Sequence, residues 1–474
     1  MKKHIKLTAL LFAVSLILAG CGGKSETSSN TPAVPENSVS DVQQGNSPAE
    51  NVDTPQQENA ISSQDENTPA ENIENPDSQI EDAQPENVPP VEDDATVSQE
   101  SADKIETILN ELDLKRKVYQ LFIVTPEALT GNPQVVAFGE LSQQCIQEKP
   151  VGGLIYFSPN LENRDQAKTM LHDTQDFTQA RTKVGLFMAV DEEGGTVARV
   201  ADNLNTTQIN SMQSYGRKND TKEVREVGET IGNDIKEFSF NLDFAPVADV
   251  NLSSTNELGD RIFSKDPEIT ANLVSAYVTG LQSTGVAATL KHFPGLGAED
   301  GNAHTDSEII IDRTLDELRE SEFVPFRSGI KAGADFVMVS HQIVTGVEDD
   351  PAVPSCLSYK VCTELLRNEL GFDGLIVTDS MQMNTISGSY SSDEAAVMAI
   401  NAGVDVILMP EDFDKAVQGI LDAVEAGEIS EQRIDESVRR ILQEKEKMGV
   451  LPEYAEDYPE LYHSPEEPEE ETEE

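Results

Sequence analysis

The chain has 474 residues, no Trp and a formal net charge of −53 at pH 7. So acidic a protein is not expected to bind nucleic acid, because the phosphate backbone would repel it, and the same charge disfavours direct adhesion to anionic lipid. The length allows more than one domain. The four cysteines have no metal-ligand spacing and suggest no disulfide framework; they are Cys21, Cys145, Cys356 and Cys362. Cys356 and Cys362 are close enough in sequence to bridge, but we expect two buried free thiols.

The first 21 residues are typical of a secretory signal. They read MKKHIKLTALLFAVSLILAGC, a basic start followed by an apolar run at 7–18 that is too short for a membrane-spanning helix. The ending Leu18-Ala19-Gly20-Cys21 resembles the bacterial lipobox, which implies cleavage before Cys21 and a diacylglyceryl group on its sulfur. Two or three acyl chains anchor a protein firmly. We therefore predict an extracytoplasmic protein that is lipid-anchored to the bacterial cell membrane. The alternative is an ordinary signal with a chance Cys.

Residues 22–100 have the composition of a linker. Ser, Asn, Pro, Gln, Glu and Asp dominate, no aromatic residue occurs, and the unit PAEN appears at Pro48 and again at Pro69. Such a segment buries too little apolar surface to offset its chain entropy, and its like charges extend it. We predict a disordered acidic linker that tethers the following domain, and an acidic disordered tail at 451–474.

Residues 101–450 differ in composition and predict an α/β domain. Eight short apolar runs recur there, most of them bounded by Gly, Asp or Pro as buried parallel strands are; they lie at 118–124, 153–157, 184–190, 242–247, 286–290, 336–339, 375–377 and 404–408. Helical patterns lie between them, for example at 164–182, 222–238, 267–284, 315–331 and 393–402. Eight strand–helix units in about 350 residues predict a TIM (β/α)8 barrel. The runner-up is a doubly wound sheet, although no Gly-x-Gly-x-x-Gly follows the first strand to support nucleotide binding there.

Ionisable residues follow several of the predicted strands, which is where a barrel builds its active site. They are Asp191 with Glu192 and Glu193, Asp249, Lys291-His292, Ser340-His341 and Asp379. The fifth strand then opens into the Gly-rich turn 293–297 and a polar loop that carries Asp300, Asn302, His304 and Asp306. Any one of these could be a helix cap, but several at once indicate a functional site.

Six motifs in this domain resemble, in order, those of the glycoside hydrolase family 3 N-terminal domain. They are Lys117-Val118-Tyr119-Gln120-Leu121-Phe122, Val151-Gly152-Gly153, Asp191-Glu192-Glu193-Gly194-Gly195, Phe244-Ala245-Pro246-Val247-Ala248-Asp249, Lys291-His292-Phe293-Pro294-Gly295, and Gly371-Phe372-Asp373-Gly374 leading to Thr378-Asp379-Ser380. Within the family the chain looks like the single-domain β-N-acetylhexosaminidases of the NagZ type. The resemblance covers essentially all of 101–450, and Lys-His-Phe-Pro-Gly is a specific match.

The resemblance implies retaining hydrolysis through a covalent glycosyl-enzyme. Asp379 would be the nucleophile, an ionised carboxylate held rigidly at a strand end. Two-domain members bring the acid from an added C-terminal domain, whereas single-domain members use a His on the loop after the fifth strand, which here is His304. Because a His titrates near neutrality, it can protonate the leaving oxygen and then activate water. The family needs no metal and we predict no cofactor. By similarity, the residues that hold the sugar in the −1 subsite would be Asp191, Arg261, Lys291 and His292.

Two positions depart from the family pattern. Leu296 stands where the family loop usually has His, and Asn302 stands where the catalytic His is usually preceded by Asp. An Asn can orient the imidazole but supplies no charge to raise its basicity, although Asp300 or Asp306 could substitute. We therefore expect a less basic His304 and a lower pH optimum than in relatives with Asp. A pH–rate profile with its basic limb at or above theirs would contradict this.

The leading hypothesis is a surface-anchored exo-β-N-acetylglucosaminidase that acts on GlcNAc glycosides such as muropeptides and other peptidoglycan fragments. Other family 3 specificities, including a β-glucosidase or a phosphorylase, stay open because the acetamido pocket cannot be identified from sequence. A non-catalytic glycan-binding lipoprotein is a third hypothesis, suggested by Leu296 and Asn302. Retention of Asp379, His304 and the Lys291-His292 pair argues against it.

Overall fold

The computed structural model describes residues 98–298, 306, 308–347 and 353–452, which belong to one compact unit. The predicted signal with Cys21, residues 22–97 of the predicted linker and all but the first two residues of the predicted tail lie outside this part of the chain. Within it, no helix combines the length and the apolar character that crossing a membrane requires.

Eight parallel strands form one sheet, and they follow each other around it in chain order. They are β1 (Phe122–Val124), β2 (Gly153–Ile155), β3 (Phe187–Val190), β4 (Leu242–Asp243), β5 (Ala287–Phe293), β6 (Phe336–Val339), β7 (Leu375–Thr378) and β8 (Ile407–Leu408). The two edge strands are connected by a parallel bridge between Val377 and Val406, which nearly closes the sheet into a barrel. The α/β class and the eight predicted strands are thereby confirmed.

Helices connect the strands, and side chains cap many of their first turns. Asn163, Asp220, Asp266 and Asp412 each accept a hydrogen bond from a backbone N–H that the helix leaves unpaired. The α-helices are Gln99–Glu111, Leu114–Gln120, Pro126–Thr130, Glu140–Glu148, Arg164–Thr182, Arg199–Leu204, Met212–Lys218, Thr221–Lys236, Pro267–Gln282, Leu315–Glu320, Phe323–Lys331, Asn384–Ser387, Ser392–Ala402, Phe413–Glu425 and Glu431–Lys447, with a π-helix at Lys360–Glu369.

Several predicted strands are shorter in the structure, and two predicted segments differ in the elements that they form. The apolar run at 118–124 is a strand only from Phe122, because Asp113 caps the helix Leu114–Gln120 and the first half of the run is the buried face of that helix. The helical pattern at 315–331 is two helices, separated at Ser321. There the buried Glu322 carboxylate forms a bidentate ion pair with Arg313, whose Nε and Nη2 donate to its two oxygens at 2.9 and 3.0 Å.

Aromatic packing fills the barrel at the N-terminal ends of its strands. Phe187 and Phe336, the first residues of β3 and β6, meet across the interior with ring centroids 5.3 Å apart in an edge-to-face contact. Both side chains are fully buried, and burying one such side chain contributes about 2 kcal/mol. Since this end of the barrel is a packed core, it is the opposite end that is open to a ligand.

Lys445 is a buried cation at the same packed end, and removing it is expected to stabilise the protein. Its Nζ donates to Gln120 Oε1 at 2.7 Å and lies 5.0 Å from the Phe187 ring centroid, and the residue is fully buried. Burial lowers the pKa of Lys445 well below its ordinary 10.5. The unfolded chain therefore binds this proton more tightly than the folded chain does, and this opposes folding increasingly as the pH falls below 10.5. We expect Lys445→Met to raise the free energy of unfolding by about 2 kcal/mol at pH 7.

Denaturant unfolding at pH 7 and at pH 9.5 measures this effect, and the gain should shrink at the higher pH. Lys447→Met is the matched control on the same helix, since Lys447 pairs with the buried carboxylate of Asp335. That variant should be less stable than the parent, because it leaves Asp335 without its cation. A stability loss in both variants would contradict the argument about Lys445.

Candidate active site

A cavity of about 470 Å³ opens at the C-terminal ends of the barrel strands. Seven strands contribute to its wall, through residues at or directly after their C-terminal ends: Ile155, Asp191, Phe244, His292, Met338, Asp379 and Leu408. All the predicted sugar-site residues within the described part of the chain line this one cavity: Asp191, Arg261, Lys291, His292 and Asp379. The convergence of parallel strand ends has therefore brought together side chains that are far apart in sequence.

Asp379 directly follows β7 and is held by the backbone on both sides. Its N–H donates to Val339 O at 2.9 Å, and the N–H of Ser380 donates to its Oδ1 at 2.7 Å. Burial raises the pKa of Asp379, but its neighbours, among them His292, the Ser380 N–H and Lys291, outweigh burial and lower the pKa below its ordinary value. The carboxylate is therefore ionised at neutral pH, as a nucleophile must be.

A buried carboxylate, Glu193, organises the cations of the cavity. Its Oε1 lies 2.6 Å from Lys291 Nζ. Arg261 donates to both of its oxygens, each at 2.8 Å. Burial raises the pKa of Glu193, but the charges of Lys291 and Arg261 hold the pKa well below its ordinary range. Glu193 thus fixes both cations at the wall of the cavity.

Asp191 connects this cluster to a further arginine. Its Oδ1 accepts from Lys291 Nζ at 3.0 Å, and its Oδ2 accepts from Arg199 at 3.1 Å. The Arg199 guanidinium lies 5.1 Å from the Phe157 ring centroid, and both residues line the cavity. The helix Arg199–Leu204 is held in turn by Glu192, whose carboxylate accepts the N–H groups of the two residues after Arg199 at 2.6 and 3.0 Å.

Asp249 fixes His292 and the start of the loop that follows it. Its Oδ2 lies 2.8 Å from His292 Nδ1 and 3.1 Å from the His292 backbone N, while its Oδ1 accepts the N–H of Leu296 at 2.6 Å. Because a carboxylate oxygen only accepts hydrogen bonds, the contact with Asp249 requires a proton on Nδ1 of His292. Its Nε2 is then the ring nitrogen left for a ligand in the cavity.

The loop after β5 is described only at its two ends. His304, the predicted acid/base, and Asn302 before it lie outside the described residues. Leu296, at the place of the usual His, packs with Val247, Leu258 and Ile262 in a small apolar cluster. Gly297 needs to be Gly, because a Cβ there would lie 1.7 Å from the carbonyl oxygen of Val250.

Three contributors had no assigned role in the sequence analysis: Glu193, Asp249 and Arg199. Glu193 and Asp249 follow predicted strands, and this position is a usable signal of a functional residue. Arg199 lies at the start of a short helix, where the sequence gives no such signal. Of the cysteines, Cys356 and Cys362 are buried and form no disulfide, as predicted, and Cys145 forms none and is partly exposed. Within the described residues, no group of His, Cys, Asp and Glu is arranged to hold a metal ion.

Comparison with known proteins gives the family. The Glycosyl hydrolase family 3 N terminal domain matches residues 113–443. The chain belongs to glycoside hydrolase family 3. It is 34% identical over 297 residues to a beta-hexosaminidase of Stenotrophomonas maltophilia, covering 60% of this chain and 85% of that protein. It is 30% identical over 333 residues to beta-hexosaminidase A of Pseudoalteromonas piscicida, covering 65% of this chain and 55% of that protein.

Solved structures of the family share this fold. A glycoside hydrolase family 3 beta-N-acetylglucosaminidase from Paenibacillus sp. superposes with a TM-score of 0.67 at 35% identity, covering 72% of this chain and 63% of that one. A beta-N-acetylhexosaminidase from Beutenbergia cavernae superposes with a TM-score of 0.61 at 27% identity, covering 71% of this chain and 99% of that one. The prediction of a glycoside hydrolase is thus confirmed at the level of the family. The chain spans only 55% of the Pseudoalteromonas protein and 63% of the Paenibacillus chain.

Proposed function

We propose that this protein is a retaining exo-β-N-acetylglucosaminidase that releases terminal GlcNAc from peptidoglycan fragments or related glycosides. The observation that carries the proposal is Asp379, an ionised carboxylate at a strand end, in a cavity whose other walls hold Asp191, Lys291 and Arg261. The names of the relatives support the choice of sugar. The finer assignment of the nearly closed sheet as a TIM barrel belongs to the same proposal.

In this mechanism Asp379 attacks the anomeric carbon through Oδ2, since Oδ1 receives the Ser380 N–H. The glycosidic bond breaks as the ester bond to Asp379 forms, and the leaving oxygen takes a proton from His304. Water then attacks the anomeric carbon, gives its proton to His304 and displaces Asp379. Lys291, Arg261 and the Nε2 of His292 bind sugar oxygens, and Asp191 accepts from a hydroxyl.

The extracytoplasmic location and the lipid anchor at Cys21 are part of this proposal and rest on the sequence of residues 1–21. An anchored enzyme would act on wall fragments or on GlcNAc glycosides outside the membrane. Labelling of the expressed chain with a radioactive fatty acid, in parallel with Cys21→Ser, tests the anchor. Label retained by the Cys21→Ser chain would exclude that cysteine as the attachment site.

The activity is tested with p-nitrophenyl β-N-acetylglucosaminide and the corresponding β-glucoside. Turnover of the first with release of β-GlcNAc as the initial product, followed by NMR, supports both the sugar and the retaining mechanism. Preference for the glucoside would instead favour a β-glucosidase, and dependence of turnover on added phosphate would favour a phosphorylase. Binding of GlcNAc without turnover of either substrate would favour a non-catalytic glycan-binding protein.

A further inference from the structure

A second histidine, His341, contacts the backbone beside the nucleophile. It lies two residues after β6 and is 2% exposed. Its Nε2 is 2.8 Å from the carbonyl oxygen of Ser380, and its Nδ1 is 3.1 Å from the Sγ of Cys356. The neighbouring Ser380 N–H donates to Asp379 Oδ1 at 2.7 Å. The imidazole therefore connects Cys356 to Ser380, the residue that follows Asp379.

The partners of the ring determine its tautomer. A carbonyl oxygen only accepts hydrogen bonds, so Nε2 must carry a proton to bind Ser380 O. In the neutral ring, Nδ1 is then an acceptor, and the thiol of Cys356 is its donor. Burial raises the pKa of Cys356 well above its ordinary value, so the sulfur keeps its proton. The hydrogen bonds therefore run in one direction: the Cys356 thiol donates to Nδ1 of His341, and Nε2 of His341 donates to the Ser380 carbonyl oxygen.

The segment that carries Cys356 is fixed to the segment that carries His341. The N–H of Cys356 donates to Ser340 O at 3.0 Å, and the N–H of Ser355 donates to Gln342 O at 3.0 Å. The Ser355 hydroxyl adds a bond to the same carbonyl at 2.7 Å. Because these bonds join Ser355 and Cys356 to the residues on both sides of His341, the thiol and the imidazole keep one relative position.

We propose that His341 is a positioning residue for Asp379 and that Cys356 keeps it in the tautomer this role requires. The inference rests on the proposed function, in which Asp379 is the nucleophile. By holding the Ser380 carbonyl, the imidazole fixes Ser380, the residue whose N–H orients Oδ1 of Asp379, and so directs Oδ2 at the anomeric carbon. His341 acts through Ser380 and need not touch the sugar.

The test separates positioning of the nucleophile from binding and from acid catalysis. A displacement of about 1 Å at a reacting group can cost on the order of 100-fold in rate. We expect His341→Leu to lower kcat about 100-fold with KM within about 2-fold. The loss should persist with a 2,4-dinitrophenyl β-N-acetylglucosaminide, whose leaving group needs no proton, whereas His304→Ala should recover with that substrate. His341→Gln keeps an N–H near the Nε2 position and should recover part of the activity.

The cysteine variants test the tautomer. Cys356→Ser keeps a donor to Nδ1 and should retain most of the activity, whereas Cys356→Ala should lose about 10-fold in kcat. Cys362→Ala is the burial-matched control, since that thiol donates to the backbone carbonyl oxygens of Ser355 at 3.5 Å and Cys356 at 3.8 Å rather than to the His341 ring; its kcat should be close to the parent's. Circular dichroism and thermal unfolding check that each variant is folded. Parent-like kcat in a folded His341→Leu, or equal losses in Cys356→Ser and Cys356→Ala, would overturn the proposal. A parent enzyme without activity would instead contradict the proposed function itself.

Discussion

Asp379→Asn is expected to lower kcat for GlcNAc release by on the order of 10⁴-fold or more, because an amide cannot form the glycosyl ester. The substitution is nearly isosteric, and the Asn oxygen can still accept the Ser380 N–H that now binds Oδ1 at 2.7 Å. Folding and sugar binding should therefore survive. Steady-state kinetics with p-nitrophenyl β-N-acetylglucosaminide measure the loss, and calorimetric titration with GlcNAc measures the binding.

A matched control lies in the turn before the same strand. Asp373 is exposed and precedes β7, so Asp373→Asn removes one carboxylate from the same region without changing the cavity. It should keep the parent's kcat and KM. Residual activity of more than a few per cent in a pure, folded Asp379→Asn would contradict its role, and another carboxylate of the cavity would then have to be the nucleophile.

The strands and the residues directly after them were predictable, because they depend on local pattern and on one rule of topology. Short apolar runs indicated eight parallel strands, and parallel strands place their carboxyl ends at the same end of a barrel. From this alone Asp191, Lys291, His292 and Asp379 were expected to be neighbours, and they line one cavity. Arg261 is not at a strand end, and its place in the predicted sugar site came only from the resemblance to the family motifs.

The contacts between these side chains were not predictable from sequence. Glu192 and Glu193 are adjacent carboxylates, and alternation along the short strand Glu192–Gly194 sends them to opposite sides. Burial raises the pKa of Glu192 to about 7, although the N–H groups of Val200 and Ala201, which its carboxylate accepts, lower that pKa. Burial also raises the pKa of Glu193, but the charges of Lys291 and Arg261 hold it well below its ordinary range. A sequence does not reveal which of the two faces the cations. Asp249 is similar, since its three donors meet only once the turn after β5 has folded.

Glu193→Gln is expected to damage stability and activity together, although Glu193 forms no bond to the sugar in the proposed mechanism. Glu193 now accepts from Lys291 at one oxygen and from Arg261 at both. A Gln offers one acceptor and a donor, so one cation would face an N–H₂ group and both would lose their shared anion. Breaking a buried ion pair in this way costs about 3–5 kcal/mol of unfolding free energy. We also expect kcat/KM to fall on the order of 100-fold, as Lys291 and Arg261 leave their positions.

The pH dependence separates the loss of charge from a general loss of packing. Because the pKa of Glu193 is depressed in the folded state, its stabilisation is complete above the ordinary value of 4.5 and is lost as the pH falls below it. The difference in unfolding free energy between the parent and Glu193→Gln should therefore be constant at pH 6–7 and narrow below pH 4.5. Glu257→Gln, at an exposed position of the same cavity wall, should show neither effect. A difference that does not change with pH would mean that Glu193 contributes shape rather than charge, and that Asp191 alone holds Lys291 in place.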